Sequence, residues 1–238
     1  MQAEIKLGQL AVAVVHKDIK NVHLSVHPPT GRVTIAAPMR LSLDTLRVFT
    51  ISKLSWIRQQ QKKLLEQERE APRVYLNRES HYVWGDRYLL KVVEGDRPTT
   101  IELSHRKMIF RTRPNWDQAK KQVRLESWYR EQLKLAVPPL VAKWERLMGV
   151  KVGQVFVQRM KTKWGSCNPG TGSIRLNTDL AKKPRECLEY LVVHEMVHLL
   201  EPTHNARFLW LMERFMPKWQ YRREVLNRLP VRQEAWTY

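Results

Sequence analysis

Cysteine is scarce in this 238-residue chain, which has only Cys167 and Cys187. Two thiols in a chain this long make no disulfide framework, and no CxxC spacing starts a cysteine zinc site. Both read as ordinary part-buried thiols in a reducing compartment. Long apolar runs are missing too. None approaches the roughly 20 residues that cross a bilayer. Met1-Gln2-Ala3-Glu4 lacks the basic and then apolar layout of a signal peptide. These absences, with a mean hydropathy of −0.49, predict a cytoplasmic protein with no membrane partner. Acidic residues are few: 23 Asp and Glu against 42 Lys and Arg, a formal net charge of +19. Charge of that sign attracts polyanions. The cations are spread along the chain, as in Arg106, Lys107, Arg111 and Arg113, with Trp116, Trp128 and Trp164 interleaved. No nucleic-acid reading motif organises them. Nucleic acid or another polyanion is therefore one expected partner, and a merely solvated basic surface is the plainer alternative.

What is present supports a real core. Hydrophobic residues make up 43% of the chain, enough for one large domain or two small ones. Residues 11–15, 23–26 and 33–36 read as strands, the last two joined by Pro28-Pro29-Thr30-Gly31 as a hairpin turn. Ser42 is a candidate cap for a helical stretch whose apolar residues, Leu43 to Leu64, continue toward Pro72. Strand character returns over 73–113, where Trp84-Gly85 suggests a tight hairpin before 89–93, and 101–103 pairs with 108–110. From Pro114-Asn115 the pattern turns helical. Pro138-Pro139 is expected to interrupt it, and Gly149 to stop the helix that follows. The predicted fold class is α+β. A β-rich N-terminal module with one helical excursion, residues 1–115, precedes a helix-rich domain with a small sheet, residues 116–238.

The chemistry concentrates after residue 184. Pro184 suits a first helical turn, and no glycine or proline interrupts Arg185 to Leu200. Leu188, Val192, Met196 and Leu199 mark one face; Val193, Val197 and Leu200 mark another, so the helix is expected to be buried. His194 and His198, four apart, project from one face and can share one tetrahedral ion. Glu195 beside them can take a proton from a water and pass it on. Pro202 breaks the helix, Thr203 is a candidate cap for the next one, and His204 in its first turn is the expected third ligand. Three histidines leave an open position, as a catalytic zinc site requires. A match to His-Glu-x-x-His arises by chance in roughly one chain in a hundred of this length. Chance matches rarely lie on a buried helix, where an unpartnered Glu and two His would be costly. His16, His23, His27, His81 and His105 are isolated and receive no role.

His194-Glu195-Met196-Val197-His198 with His204 and Phe208, together with 161–167 (KTKWGSC) and 174–177 (IRLN), resembles the YgjP-like metallopeptidase family, related to the SprT and WLM groups of zincins. The likeness is strongest over about 155–220. It implies a zincin-like metallopeptidase domain, His194, His198 and His204 as ligands of one catalytic Zn²⁺, and Glu195 as catalytic base. Metzincins share the ten-residue span from His194 to His204. They carry glycine where Glu201 stands, and no Met-turn follows here.

Trp164-Gly165-Ser166-Cys167 lies between the strands expected at 155–160 and 173–177, which together suggest a hairpin against the metal helix. In zincins a strand beside the metal binds peptide by edge pairing. Arg159, Lys163, Trp164 and Asn177 are the candidate substrate-binding residues; Trp164 is equally a core residue. Glu201 is a candidate for orienting a ligand, though an exposed loop carboxylate reads the same way. The first functional expectation is a zinc-dependent hydrolase acting on peptide or protein. Two others stay open: a metal-dependent nucleotide pyrophosphohydrolase of UTP type, though 170–172 (GTG) is too short for a phosphate loop, and a nucleic-acid-binding module with structural zinc.

Overall fold

The computed structural model describes residues 2–27, 30–66, 69–70, 73–161 and 163–232. The chain divides into two compact units, Met1–Glu70 with Pro230–Tyr238 and Ala71–Leu229. The fold is mixed α+β, with strands dominating the first half and helices the second, as the sequence predicts.

In the first unit, β1 (Gln2–Leu7), β2 (Leu10–Lys17), β3 (His23–His27) and β4 (Arg32–Pro38) form a sheet of order β1-β2-β4-β3. β2 and β4 run parallel; the outer pairs are antiparallel. Alternate residues turn inward, and Ile5, Val12, Val14, Val33, Ile35 and Ala37 make one core with Leu46 and Ile57. Of the turn between β3 and β4, Pro28 and Pro29 lie outside the described residues, as does Pro72. Ser42 caps α1 (Leu43–Ser52) by accepting the Thr45 N–H. The expected single helical stretch is two helices, because α1 stops at Lys53 before α2 (Leu54–Glu66) begins. The Thr50 hydroxyl donates to Leu46 O and the Ser52 hydroxyl to Phe49 O. Such hydroxyls compete with the helical ladder at that end. A short strand β5 (Arg69–Glu70) closes this stretch.

The second unit opens with β6 (Ser80–Val83), β7 (Asp86–Glu94), β8 (Thr100–Ser104) and β9 (Lys107–Thr112), in the order β6-β7-β9-β8. The β6–β7 connection is the expected two-residue turn. Trp84 and Gly85 have φ of 51° and 89°, the positive pair of a type I′ turn. The boundary expected near residue 115 falls inside this unit. Val83, Leu90, Ile101, Met108 and Phe110 belong to the same core as the helices that follow.

The following helix, α3 (Gln118–Met148), is capped by Asp117 and ended by Gly149 at φ 68°. Pro138 and Pro139 lie inside it and do not split it. Two prolines remove two backbone donors, at roughly 3 kcal/mol each. The buried stripe continues across them, with Leu125, Trp128, Tyr129, Leu133 and Val137 on one side and Trp144 and Met148 on the other. Packing on both sides outweighs the local cost.

Next come β10 (Gln154–Gln158), β11 (Gly165–Asn168) and β12 (Ser173–Asn177), in the order β10-β12-β11. The hairpin is β11–β12, and β10 runs parallel to β12. The expected pairing of 155–160 with 173–177 is therefore real but parallel, and the Trp164–Cys167 segment supplies the antiparallel partner. A 3-10 turn at Thr178–Lys182 leads into α4 (Arg185–Val197), α5 (Ala206–Phe215) and α6 (Trp219–Arg228). The last strand, β13 (Val231–Arg232), pairs with β5 in the first unit. Among the described residues no helix is long and apolar enough to cross a membrane.

Candidate metal centre

α4 positions the chemistry because it is apolar on nearly every side. Cys187, Leu188, Tyr190 to Val193 and Glu195 to Val197 are all buried, so the helix cannot rotate without exposing core. His194 stands in its last turn and His198 is its C-cap. The chain then reverses through residues 199–204. Asn205, rather than Thr203, caps α5 by accepting the Phe208 N–H at 3.0 Å. His204 therefore precedes α5 instead of lying in its first turn, and the reversal carries it back onto the pair. His204 Nε2 lies 3.1 Å from His194 Nε2. Ligand nitrogens of His194, His198 and His204 all lie within 4.8 Å of one another.

This donor set fits a metal ion. A tetrahedral ion with bonds of 2.0–2.1 Å has ligand edges of about 3.3 Å, close to the observed separation. His198 Nδ1 lies 3.2 Å from Glu201 O, so a proton there donates to the carbonyl and leaves Nε2 free for an ion. Glu201 thus orients the His198 ring through its main chain. Its carboxylate instead accepts from the Thr203 N–H and hydroxyl, which hold its pKa down. The buried Phe208 is the floor of the cluster, its ring centroid 4.6–5.0 Å from all three imidazoles. Burial, followed by the neighbouring His198 and His204 and then Arg223, pushes the His194 pKa down to about 3. Burial, His198 and Arg223 lower that of His204. Both rings are then neutral near pH 7, the form that coordinates metal.

Glu195 is 4% exposed. Burial raises its pKa to about 7, with Lys163 pulling the other way. Gly165 on β11 is required here: a Cβ on it would stand 2.6 Å from Glu195 Oε1 and 3.1 Å from Cδ. The hairpin strand therefore lies directly against the carboxylate.

The candidate substrate residues separate. Lys163 is exposed and near enough to act on Glu195. Arg159 is exposed at the end of β10. Trp164 is half-buried, packed on the core, with Lys183 Nζ 5.8 Å from its ring centre. Asn177 is buried, and its amide N–H groups donate to Met160 O and Lys163 O while its oxygen accepts from Asp179 N. Both donors are used, so Asn177 clamps the loop that carries Lys163. Thr162 lies outside the described residues. Three further residues at the site belong to no motif. Tyr190 tilts against His194 at 5.8 Å and stacks on Trp219 at 6.5 Å, and Arg223 on α6 helps to lower the pKa of both His194 and His204. Tyr190 stands four residues before His194, and that helical spacing would have found it.

The model of the YgjP-like metallopeptidase domain matches residues 20–229. The chain belongs to the YgjP-like metallopeptidase family. That membership makes it a metal-dependent peptidase by family, and the three-histidine cluster is compatible with the divalent metal such a family implies. Among solved structures, the metallopeptidase zymogen abylysin of Pyrococcus abyssi is 22% identical, with a TM-score of 0.35, over 39% of this chain and 90% of its own. Jannalysin of Methanocaldococcus jannaschii, also a metallopeptidase zymogen, is 21% identical with a TM-score of 0.31, over 34% and 81%. A search of curated proteins gave no match.

Proposed function

We propose that the chain is a zinc-dependent peptidase with a single catalytic ion, in which Glu195 is the general base. The observation that carries this reading is the convergence of three histidine nitrogens within 4.8 Å, with a buried carboxylate one residue from the first of them. His194, His198 and His204 would hold Zn²⁺, which when bound lowers the pKa of water to about 7 and polarises a carbonyl. Glu195, with its pKa near 7, takes a proton from the attacking water and returns it to the leaving amine. Lys163, facing Glu195, favours the carboxylate form before the first transfer and helps release the proton in the second. Phe208 and the apolar sides of α4 keep the cluster dry on the inner side.

Peptide is favoured as substrate by the neighbouring strand. β11 is at the edge of its sheet, bonded to β12 alone among the described strands, and touches Glu195 through Gly165. An extended peptide can add to such an edge with its scissile bond near the carboxylate. In the β11–β12 turn the Gly170 N–H is spent on Asn168 Oδ1 at 3.0 Å, which leaves that donor unavailable to a phosphate.

The test is cleavage of casein by zinc-loaded protein and by Glu195→Gln, with uridine triphosphate assayed in parallel. Casein cleavage is expected to fall at least about 1000-fold in the variant, with zinc retained by elemental analysis. Pyrophosphate release that depends on Glu195, without proteolysis, would replace the peptidase reading. A His204→Ala variant with undiminished zinc would remove His204 from the ligand set.

A further inference from the structure

The sheet β6-β7-β9-β8 buries only one face. Residues of the alternate register point outward, and their pairing has a regular composition. Tyr82 stands opposite Arg87 across β6 and β7. Leu89 stands opposite Lys107, Lys91 opposite Ile109, and Val93 opposite Arg111 across β7 and β9. Each of these four facing pairs joins one cation to one apolar or aromatic side chain, and Ser80 on β6 with Thr100, Glu102 and Ser104 on β8 extend the rows. Tyr82 is 43% exposed and Leu89 37%. No ion pair neutralises any of the four cations among the described residues; Arg87 donates to the Ser80 hydroxyl. The acid pointing outward from this sheet is Glu102 on β8, which accepts from Thr100 Oγ1.

One end of this face deepens into a groove of about 610 Å³, lined by Asp86, Arg87, Tyr88, Leu89, His105 and Arg106. That end is held to the metal helix. The Trp84 N–H donates to Ala181 O, and a Cβ on Gly85 would touch Pro184, the residue before α4. His194 lies about 14 Å further along α4, at 1.5 Å per residue.

A face meant only for water has no use for four apolar side chains set between four unpaired cations. A face for a neutral protein would not carry the cations unpaired. Rows along a strand repeat every two residues, about 6.6 Å, a step like that between phosphates of an extended nucleic-acid strand. Cations alternating with flat or apolar platforms suit phosphates alternating with sugars and bases. We propose that this face binds a single nucleic-acid strand, with Arg87, Lys91, Lys107 and Arg111 on phosphates and Tyr82, Leu89, Ile109 and Val93 beneath sugars and bases.

The experiment is fluorescence anisotropy of the full chain with labelled single-stranded DNA and RNA 20-mers, a DNA duplex, and anionic phosphatidylserine vesicles, across a salt series. Neither Glu195 nor metal is needed for the readout, so it stands or falls apart from the peptidase reading. The variant R87Q/K91Q/K107Q/R111Q is expected to lose about 30-fold or more in strand affinity at 0.1 M salt. Its salt slope should be shallower by about 3, from four phosphate contacts. A charge-matched control, K17Q/R47Q/K53Q/R58Q, alters four exposed cations of the first unit and is expected to change affinity less than about 3-fold. Tyr82→Ala should weaken strand binding about 5-fold or more and leave duplex binding unchanged. Equal losses in the two quadruple variants would overturn the proposal, as would duplex or vesicle binding as tight as strand binding. Thermal melts of each variant separate lost binding from lost fold.

Discussion

Gly165 and Glu195 constrain each other closely at the candidate metal centre. A methyl group at residue 165 would stand 2.6 Å from the carboxylate oxygen, and the carboxylate is buried and cannot swing into solvent. Gly165→Ala is expected to lower kcat for peptide hydrolysis by about 100-fold through misplacement of the base, and to destabilise the protein by about 1–3 kcal/mol through overpacking. The cause is checked by a double-mutant cycle on Tm. In a Glu195→Ala background the same alanine should cost much less, and an unchanged penalty would place the clash elsewhere. The histidine cluster was legible in the sequence, because helical spacing puts His194 and His198 on one face whatever surrounds them. The Gly165–Glu195 contact was not, since it joins residues 30 apart on different elements. The role of Glu201 was half legible: the position orients His198, but with a main-chain carbonyl that any residue type supplies. Asn177 read as a substrate residue because a polar side chain at a strand end is ambiguous until its partners are known.

At the scale of elements, local chemistry was read correctly where one short segment decides it. The Trp84-Gly85 turn needs two positive φ values, and the Ser42 cap needs one side-chain acceptor. Reading failed where distant packing decides: Pro138 and Pro139 look like a break, yet the apolar stripe of α3 runs past them, and a strand's pattern names its buried face but not whether its partner is parallel. β6 carries a consequence of such packing. His81 is 2% exposed, its Nε2 2.8 Å from Glu79 Oε1 but poorly aligned for a hydrogen bond. Burial first, and then Arg73, lowers its pKa to about 4, with Lys182 adding to the effect and Glu79 opposing it. In the unfolded chain His81 titrates near 6.5. The folded state therefore binds fewer protons between pH 6.5 and 4. The stability His81 contributes is present above about pH 6.5 and is lost as pH falls toward 4, by up to about 3 kcal/mol. Denaturant unfolding at pH 7 and pH 4.5 should show a loss that is smaller in His81→Gln. The difference between the two proteins is the quantity to read, because His194 is also held neutral. Equal losses would mean that His81 is charged in the fold.

For the whole molecule, the misplaced boundary is instructive. Residues 1–115 looked like one module because strands fill them, but domain membership follows shared core, and a sheet whose inner face is covered by later helices belongs with those helices. Core residues from Tyr75 to Leu226 form one cluster, and those from Ile5 to Ile57 form another. All three metal-ligand candidates, Glu195, β11 and the basic outer face of β6–β9 lie in Ala71–Leu229. A segment of about 160 residues can bury roughly 70% of its unfolded surface, enough to fold alone. Expressed by itself, Ala71–Leu229 is expected to unfold in a single cooperative transition and to bind one equivalent of zinc. Zinc at 100 times its Kd stabilises a fold by about 2.7 kcal/mol, which for this size raises Tm by roughly 5–10 °C. The same fragment carrying His204→Ala should show a much smaller rise. A fragment that melts without cooperativity would mean that the first unit is needed to complete the second. A cooperative fragment whose Tm ignores zinc would instead refute the metal centre while leaving the boundary at residue 70 intact, so calorimetry with and without zinc tests the two claims separately.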